Sequence, residues 1–221
     1  MRFDGLIFDF DGVLIESEEA SNRQIADYLT ALGHPTTPQE SMNSFMGLAG
    51  RDFIDAVERR IGGPLPADFG ENRDEAERVA MAEGIGEVAG AVAFVRSLPP
   101  TLPIVVASSS PTRWIEAHLR HIGLADRFGD RIVSGREHVA RGKPAPDIYH
   151  YAARLIGIPI ERCAIIEDSP VGVTGAAVSG AFVIGLCAGR HCPSDHRDRL
   201  LALGADVTAA DFAEVAAALD G

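Results

Sequence analysis

The stretch that most constrains this chain is Leu6–Val13, where an apolar run leads directly into two aspartates and a glycine. Residues two apart in an extended segment point to the same side, so Asp9 and Asp11 begin on one face until the turn at Gly12 redirects the second. Two carboxylates at the end of a buried strand are costly unless they are neutralised. A hard divalent cation with oxygen ligands is the usual solution, and Mg2+ is the first candidate. A strand that ends in a solvated acidic turn is the alternative.

The composition limits the class of protein. The chain has 221 residues, 46% of them hydrophobic, which suffices for one large domain or for a core with a smaller insert. Its net charge of -12 argues against a nucleic-acid partner but leaves room for a small phosphorylated ligand. It has no bilayer-spanning apolar run and only three cysteines, so we expect a cytoplasmic protein with no membrane partner. We expect a monomer or a weak homodimer.

Two kinds of pattern divide the chain. Residues 16–88 show apolar residues at helical spacing, separated by turns that contain Gly and Pro, and no convincing strand. From residue 89 onward, short apolar strands alternate with helices, which is typical of a parallel sheet covered on both faces. We therefore predict an α/β fold. A Rossmann-like parallel-sheet core comprises residues 1–15 and 89–221, and an all-helical domain is inserted at 16–88.

Polar residues follow three of the predicted strands. In an open parallel sheet, ligands bind at the carboxyl ends of the strands. Those ends carry Asp9 with Asp11, then the serines 108–110, and then Glu167 with Asp168. All three groups should therefore lie at one edge of the sheet.

One basic residue also stands out. Lys143 is the only lysine among 20 basic residues, the other 19 being arginines. A position that keeps lysine in such a chain indicates a need for a compact ammonium group rather than a planar guanidinium. Chance is the alternative, and Lys143 would then lie in a surface turn.

The two aspartates suit phosphoryl transfer. Asp9 can attack phosphorus and form an aspartyl-phosphate, while Asp11 can exchange protons with the leaving group and with water. Asp168, with help from Glu167, would complete a Mg2+ site together with Asp9 and the backbone carbonyl of Asp11. The alternative for Asp168 is a helix cap.

Two further residues could contact the phosphoryl group. Ser108 can donate a hydrogen bond to one of its oxygens, and the helix start near Pro111 favours an anion there. Lys143 can hold both the nucleophile and the phosphoryl group as a point charge. A polar loop with a cap is the alternative for Ser108.

The chain resembles the haloacid dehalogenase-like hydrolase superfamily, and within it the branch of phosphatases and β-phosphoglucomutases that carry a helical cap after the first strand. The matching motifs are residues 9–18, Ser108, residues 142–147 and residues 167–172. The resemblance implies that Asp9 is the nucleophile, that Asp11 is the acid/base and that Mg2+ is the cofactor.

The same resemblance guides the choice of reaction. Dehalogenases of the superfamily act without Mg2+ and lack the Asp-x-Asp pattern, so Asp11 and Asp168 favour phosphoryl transfer. The mutases usually carry a histidine near an Ala-Trp pair in the first cap helix, whereas residues 21–24 contain neither histidine nor tryptophan. We therefore expect a phosphatase that acts on a small phosphorylated metabolite, a sugar or sugar-acid phosphate. A β-phosphoglucomutase-type mutase is the alternative, and a non-catalytic binding protein on the same fold is the third possibility.

Substrate recognition is expected in the cap. The family often places a glycine and an arginine in a cap loop that faces the active site, and Gly47 and Arg51 occupy that place here. We predict that both contact the substrate, together with Ser109. A solvated arginine at a helix start is the alternative for Arg51.

Four other residues attract attention without fitting a functional pattern. His191, Cys192 and His196 match no strong zinc-binding spacing, so we expect them in a surface loop. Trp114 lies one turn into a predicted helix, where we expect it to serve packing.

Overall fold

The computed structural model describes residues 2–45, 48 and 50–220. These residues form two compact units, a helical unit at 17–85 and a core unit made of the chain up to residue 16 and from residue 86 onward. The sequence predicts breaks after residues 15 and 88, and the units divide after residues 16 and 85.

The helical unit consists of four helices over its described residues, which are α1 (Ser17–Ala31), α2 (Pro38–Phe45), α3 (Gly50–Ile61) and α4 (Phe69–Glu83). Its interior contains Leu29, Phe45 and Val57, which are all buried. The sequence pattern predicts the last helix over residues 74–82, whereas α4 begins at Phe69. Phe69 is buried and its ring packs against Tyr28 at 5.3 Å, and this tertiary contact extends the helix.

The core unit contains one sheet of six strands, within the described part of the chain: β1 (Gly5–Phe8), β2 (Ile104–Ser108), β3 (Ile132–Ser134), β4 (Cys163–Glu167), β5 (Phe182–Leu186) and β6 (Val207–Ala209). Their order is β3-β2-β1-β4-β5-β6, and every neighbouring pair is parallel. The predicted α/β fold with a Rossmann-like sheet is confirmed. Because β1 lies between β2 and β4, the strand order reverses beside it, and a ligand crevice is expected at its carboxyl end.

The register of the central strands aligns the predicted polar residues. Phe8 is paired with Val106 of β2 on one side and with Ile166 of β4 on the other. All residues of these three strands are buried. Asp9, Ser108 and Asp168 therefore leave the sheet within a few residues of one level, on the same edge.

Seven helices accompany the sheet in the described core unit: α5 (Ala91–Ser97), α6 (Thr112–His121), α7 (Ala125–Phe128), α8 (Asp147–Leu155), α9 (Pro170–Ala177), α10 (His196–Ala202) and α11 (Phe212–Asp220). Ser169 caps α9, since its hydroxyl accepts a hydrogen bond from the Gly172 N–H at 3.0 Å and Pro170 follows as the first helical residue. The helix-cap alternative for Asp168 is thus wrong. The sequence pattern predicts neither α7, which is a single turn, nor α10, where four of seven residues are charged or histidine.

The two segments that join the helical unit to the core are hydrogen-bonded to each other. The Glu16 N–H donates to the Gly86 carbonyl at 3.0 Å, and the Val88 N–H donates to the Leu14 carbonyl at 3.1 Å. Ile15 and Glu87 form an antiparallel bridge between these two bonds. The chain therefore leaves the core and returns to it through one short paired ribbon.

Among the helices of the described residues, none has both the length and the apolar character that crossing a bilayer requires.

Candidate active site

A buried ammonium group joins two acids at the carboxyl ends of β1 and β4. Lys143 Nζ lies 2.7 Å from Asp9 Oδ1 and 2.5 Å from Glu167 Oε1. The side chain of Lys143 is 4% exposed, which is incompatible with the surface-turn alternative. One compact ammonium thus serves two buried carboxylates, which is a structural reason for the unique lysine.

Burial and charge act in opposite directions in this cluster. Burial raises the pKa of Asp9 well above its usual value, the Glu167 carboxylate raises it further, and Lys143 opposes both. Burial by itself would lower the pKa of Lys143, but the Asp9 and Glu167 carboxylates hold that pKa well above its usual value. Lys143 is therefore charged, and it is the group that allows two acids to coexist in the interior.

The Glu167 side chain is fully buried and held at both oxygens. The hydroxyl of Tyr149 lies 3.2 Å from Oε1. The Ser169 N–H and hydroxyl donate to Oε2 at 2.8 Å and 3.1 Å. Burial and the neighbouring Glu167 carboxylate raise the pKa of Tyr149 well above its usual value, so its hydroxyl stays protonated. Glu167, which we predict to assist the metal, here anchors Lys143.

Gly172 is required for this arrangement. A Cβ at that position would overlap the Glu167 carboxylate, which lies against the first turn of α9. We expect Gly172→Ala to cost about 1–3 kcal/mol of unfolding free energy, because a packed interior must shift to admit the methyl group. Urea denaturation measures this. Gly86→Ala is the matched control, since a Cβ there meets nothing within 4 Å. Equal stability of the two variants would contradict the overlap.

Asp11 turns away from Asp9 toward the loop that follows β2. Its Oδ2 accepts hydrogen bonds from the Ser108 hydroxyl at 3.2 Å and from the Ser110 hydroxyl at 2.6 Å. Its Oδ1 accepts from Trp114 Nε1 at 3.1 Å. Ser108 is only 1% exposed, so the polar-loop alternative does not describe it. The packing role predicted for Trp114 is incomplete, because its N–H reaches the second aspartate.

Asp168 is fixed by two histidines from the segment after β5. His191 Nε2 lies 2.7 Å from Asp168 Oδ2, and His196 Nε2–H donates to the Asp168 carbonyl at 2.6 Å. Both rings are buried, with exposures of 7% and 4%, so the prediction of a surface loop is wrong for these histidines. Gly12 has a φ of +79°, and a Cβ on it would overlap Asp168 Oδ2. The same Cβ would lie 3.0 Å from the ring of His191. The turn at Gly12 therefore packs directly against Asp168 and against the segment after β5.

The acids can hold a cation. Carboxylate oxygens of Asp9, Glu167 and Asp168 lie within 4.8 Å of one another, and all three residues are buried. When ionised, these three carboxylates exceed the single ammonium of Lys143 by two negative charges. An oxygen-rich, buried site with an excess charge of -2 matches a hard divalent cation.

Two of the three predicted substrate-binding residues lie in the described part of the chain. Ser109 is exposed, and its carbonyl accepts a hydrogen bond from Arg136 Nε at 3.0 Å. Arg51 forms an ion pair with Asp55, one turn along α3, at 2.7 Å, and its side chain is 76% exposed. Gly47 lies outside the described residues.

Sequence reasoning missed the contacts of Trp114, Ser110, His191 and His196. A positional signal existed for the histidines, because the segment after β5 leaves the same sheet edge as Asp9. Polar residues in that segment are candidates for the site whether or not their spacing matches a metal motif.

A family model of the haloacid dehalogenase-like hydrolases matches residues 3–180. The match includes β1 through α9 and thus every catalytic and metal-ligating candidate named from the sequence.

Characterised relatives and a solved structure agree with this match. Hexitol phosphatase A of Escherichia coli is 31% identical over 198 residues, 87% of this chain and 87% of that protein. The 6-phosphogluconate phosphatase of Escherichia coli is 27% identical over 192 residues, 86% of this chain and 85% of that protein. A HAD family hydrolase from Deinococcus radiodurans, solved with bound phosphate and sodium, matches with a TM-score of 0.87 and 31% identity over 99% of this chain and 95% of that one.

Proposed function

The chain belongs to the haloacid dehalogenase-like hydrolase family and is a phosphoric monoester hydrolase, and we propose that it is a Mg2+-dependent phosphatase of small sugar or sugar-acid phosphates. The observation that carries the mechanism is the buried contact of Lys143 with Asp9, with Asp11 nearby on its own set of donors. The substrate class is supported by the two relatives, which act on a hexitol phosphate and on 6-phosphogluconate by their names.

In the first step, a carboxylate oxygen of Asp9 attacks phosphorus and the bond to the ester oxygen breaks. Lys143 restrains the attacking carboxylate and lies where it can also meet a phosphoryl oxygen. The proton of Asp11 passes to the departing alkoxide. Ser108 donates a hydrogen bond to the phosphoryl group.

In the second step, water attacks the aspartyl-phosphate. Asp11, now ionised, takes a proton from that water, and Asp9 is released as a carboxylate together with inorganic phosphate. One residue thus acts as acid and then as base, and the enzyme returns to its starting protonation state.

The carboxylates of Asp9 and Asp168, with the main-chain carbonyl of Asp11, would hold Mg2+, and Glu167 lies beside them. When bound, Mg2+ neutralises charge on the phosphoryl oxygens and lowers the repulsion among the carboxylates. His191 and His196 orient Asp168 for that role.

The helical unit supplies the substrate contacts in this proposal. Arg51 and Gly47 of this unit would contact the part of the substrate remote from phosphorus, with Ser109 contributing from the core. We further propose a cytoplasmic monomer or weak homodimer that binds neither nucleic acid nor membrane.

Phosphate release from a panel of phosphorylated metabolites tests the proposal. The panel contains hexitol phosphates, hexose phosphates, 6-phosphogluconate and β-glucose 1-phosphate with a bisphosphate activator, each with Mg2+ and with EDTA. We expect release with at least one sugar or sugar-acid phosphate and a loss of about a hundredfold or more in EDTA.

Two outcomes would overturn this assignment. Conversion of β-glucose 1-phosphate to glucose 6-phosphate without phosphate release would make the protein a mutase. Equal phosphate release with Mg2+ and with EDTA would remove the cation from the mechanism.

A further inference from the structure

The Asp11 carboxylate accepts hydrogen bonds from three side chains, two rotatable hydroxyls and one indole N–H. The hydroxyls of Ser108 and Ser110 both reach Oδ2, whereas the indole N–H of Trp114 reaches Oδ1 at 3.1 Å. We propose that Trp114 is a positioning residue for Asp11, holding Oδ1 throughout turnover so that Oδ2 is the oxygen that exchanges protons. This inference rests on the proposed function.

The two serine hydroxyls can exchange Asp11 for another hydrogen-bond acceptor, whereas the Trp114 N–H cannot. A hydroxyl rotates freely about its C–O bond and can turn to a phosphoryl oxygen, which is the role assigned to Ser108. An indole N–H has one fixed direction and accepts nothing. When Ser108 turns to the phosphoryl group, the Trp114 bond to Oδ1 remains, and Oδ2 keeps only the rotatable Ser110 hydroxyl beside the ester oxygen.

The indole is fixed from behind. Trp114 lies in the first turn of α6, and its backbone N–H donates to the Pro111 carbonyl at 3.0 Å. His118, which is fully buried, packs against the indole with ring centroids 4.1 Å apart and ring planes inclined at 41°, and its Nδ1–H donates to the Trp114 carbonyl at 2.9 Å. Rotation of the indole would break this ring contact.

The proton path follows from the geometry. In the first step, the proton on Oδ2 moves to the ester oxygen as the bond between that oxygen and phosphorus breaks and the bond between Asp9 and phosphorus forms. In the second step, a water proton returns to Oδ2 as the water oxygen bonds to phosphorus. Loss of the Trp114 N–H would let the Asp11 carboxylate rotate. The rate should then fall most for esters whose leaving group must be protonated.

A single-atom replacement tests this, because Trp114 is the only tryptophan in the chain. Expression in a tryptophan auxotroph can replace it with β-(3-benzothienyl)alanine, in which sulfur stands in place of the N–H. The matched control is 5-fluorotryptophan, which keeps the N–H. Trp114→Phe is the genetically encoded second variant.

The readout is kcat/KM for an alkyl phosphate and for an aryl phosphate such as p-nitrophenyl phosphate. This parameter covers events through phosphoryl transfer to Asp9, and only the alkoxide requires a proton. We expect the benzothienyl protein to lose about tenfold or more on the alkyl ester and less than about threefold on the aryl ester. The fluorotryptophan protein should match wild type on both.

Equal losses on the two esters would assign Trp114 a merely structural role, and no loss on either would show that its N–H is dispensable. Either result would overturn the inference about Trp114. The proposed phosphatase function would still hold as long as the wild-type protein hydrolyses the esters. A wild-type protein inactive on both esters and on the metabolite panel overturns the proposed function and this inference together.

A spectroscopic readout checks the contact without activity. Uniformly 15N-labelled protein has one indole N–H cross peak, and Asp11→Asn should move it because the charged acceptor is lost. Asp4→Asn, at a half-exposed acid that pairs with Arg162, is the control and should leave the indole peak in place. An indole peak that is unchanged by Asp11→Asn would contradict the contact.

Discussion

Asp9→Asn is expected to lower kcat/KM for the best substrate by about 10⁴- to 10⁶-fold, since an amide oxygen is a poor nucleophile toward phosphorus. The substitution keeps the shape of the side chain and an acceptor for Lys143, which contacts Oδ1 at 2.7 Å. The loss should therefore appear in the chemical step. Rapid-quench measurement of phosphoenzyme, with mass spectrometry to exclude deamidation, checks it.

The same variant should keep its fold. Burial and the Glu167 carboxylate raise the pKa of Asp9, which means that an ionised side chain is costly at this position. In EDTA, Asp9→Asn should thus be at least as resistant to urea as wild type. Asp4→Asn serves as control because Asp4 pairs with Arg162 at the surface and should keep full activity. Undiminished turnover in Asp9→Asn would refute the nucleophile assignment.

Lys143→Met is expected to damage both activity and stability. Methionine keeps an unbranched side chain one atom shorter than lysine but leaves Asp9 and Glu167 buried together without a cation. Breaking such a pair costs about 3–5 kcal/mol of unfolding free energy. Loss of the charge beside the phosphoryl group should lower kcat by about 10²- to 10³-fold.

A second substitution separates the two losses. Lys143→Met combined with Glu167→Gln removes one of the stranded charges, so it should recover part of the stability in urea and none of the activity. Arg141→Met is the control for removing a cation, because Arg141 pairs with Asp147 at the surface and should change stability little. A fully stable Lys143→Met protein would contradict the role of Lys143 in balancing buried charge.

The sheet and the central acids follow from local patterns in the sequence. The residues of β1, β2 and β4 are apolar on both sides because helices cover both faces, and that makes them readable as buried parallel strands. A polar residue ends β2 and β4 and directly follows β1, and the parallel arrangement then brings Asp9, Ser108 and Asp168 to one edge without knowledge of side-chain conformation.

The contacts that local patterns could not predict depend on conformations of side chains and loops. Trp114 reaches Asp11 through the direction of one indole bond, which helical spacing does not encode. His191 and His196 reach Asp168 because the segment after β5 folds back on the Gly12 turn, a contact that joins residues far apart in the chain. Glu167 is predicted beside the metal and its carboxylate does lie within 4.8 Å of those of Asp9 and Asp168, but its contacts with Lys143, Tyr149 and Ser169 depend on side-chain conformation.

The paired ribbon at residues 14–16 and 86–88 has a consequence for how this molecule can change. Its two segments are hydrogen-bonded to each other, so the 69 residues between them begin and end at neighbouring points of the core. For the core, the insert is equivalent to one long loop. Loop-closure entropy grows only slowly with length, so the core tolerates inserts of very different size at this point. The core and the insert are therefore separable along the chain. An insert of another length or sequence can be joined at the ribbon without changing the residues at the sheet edge.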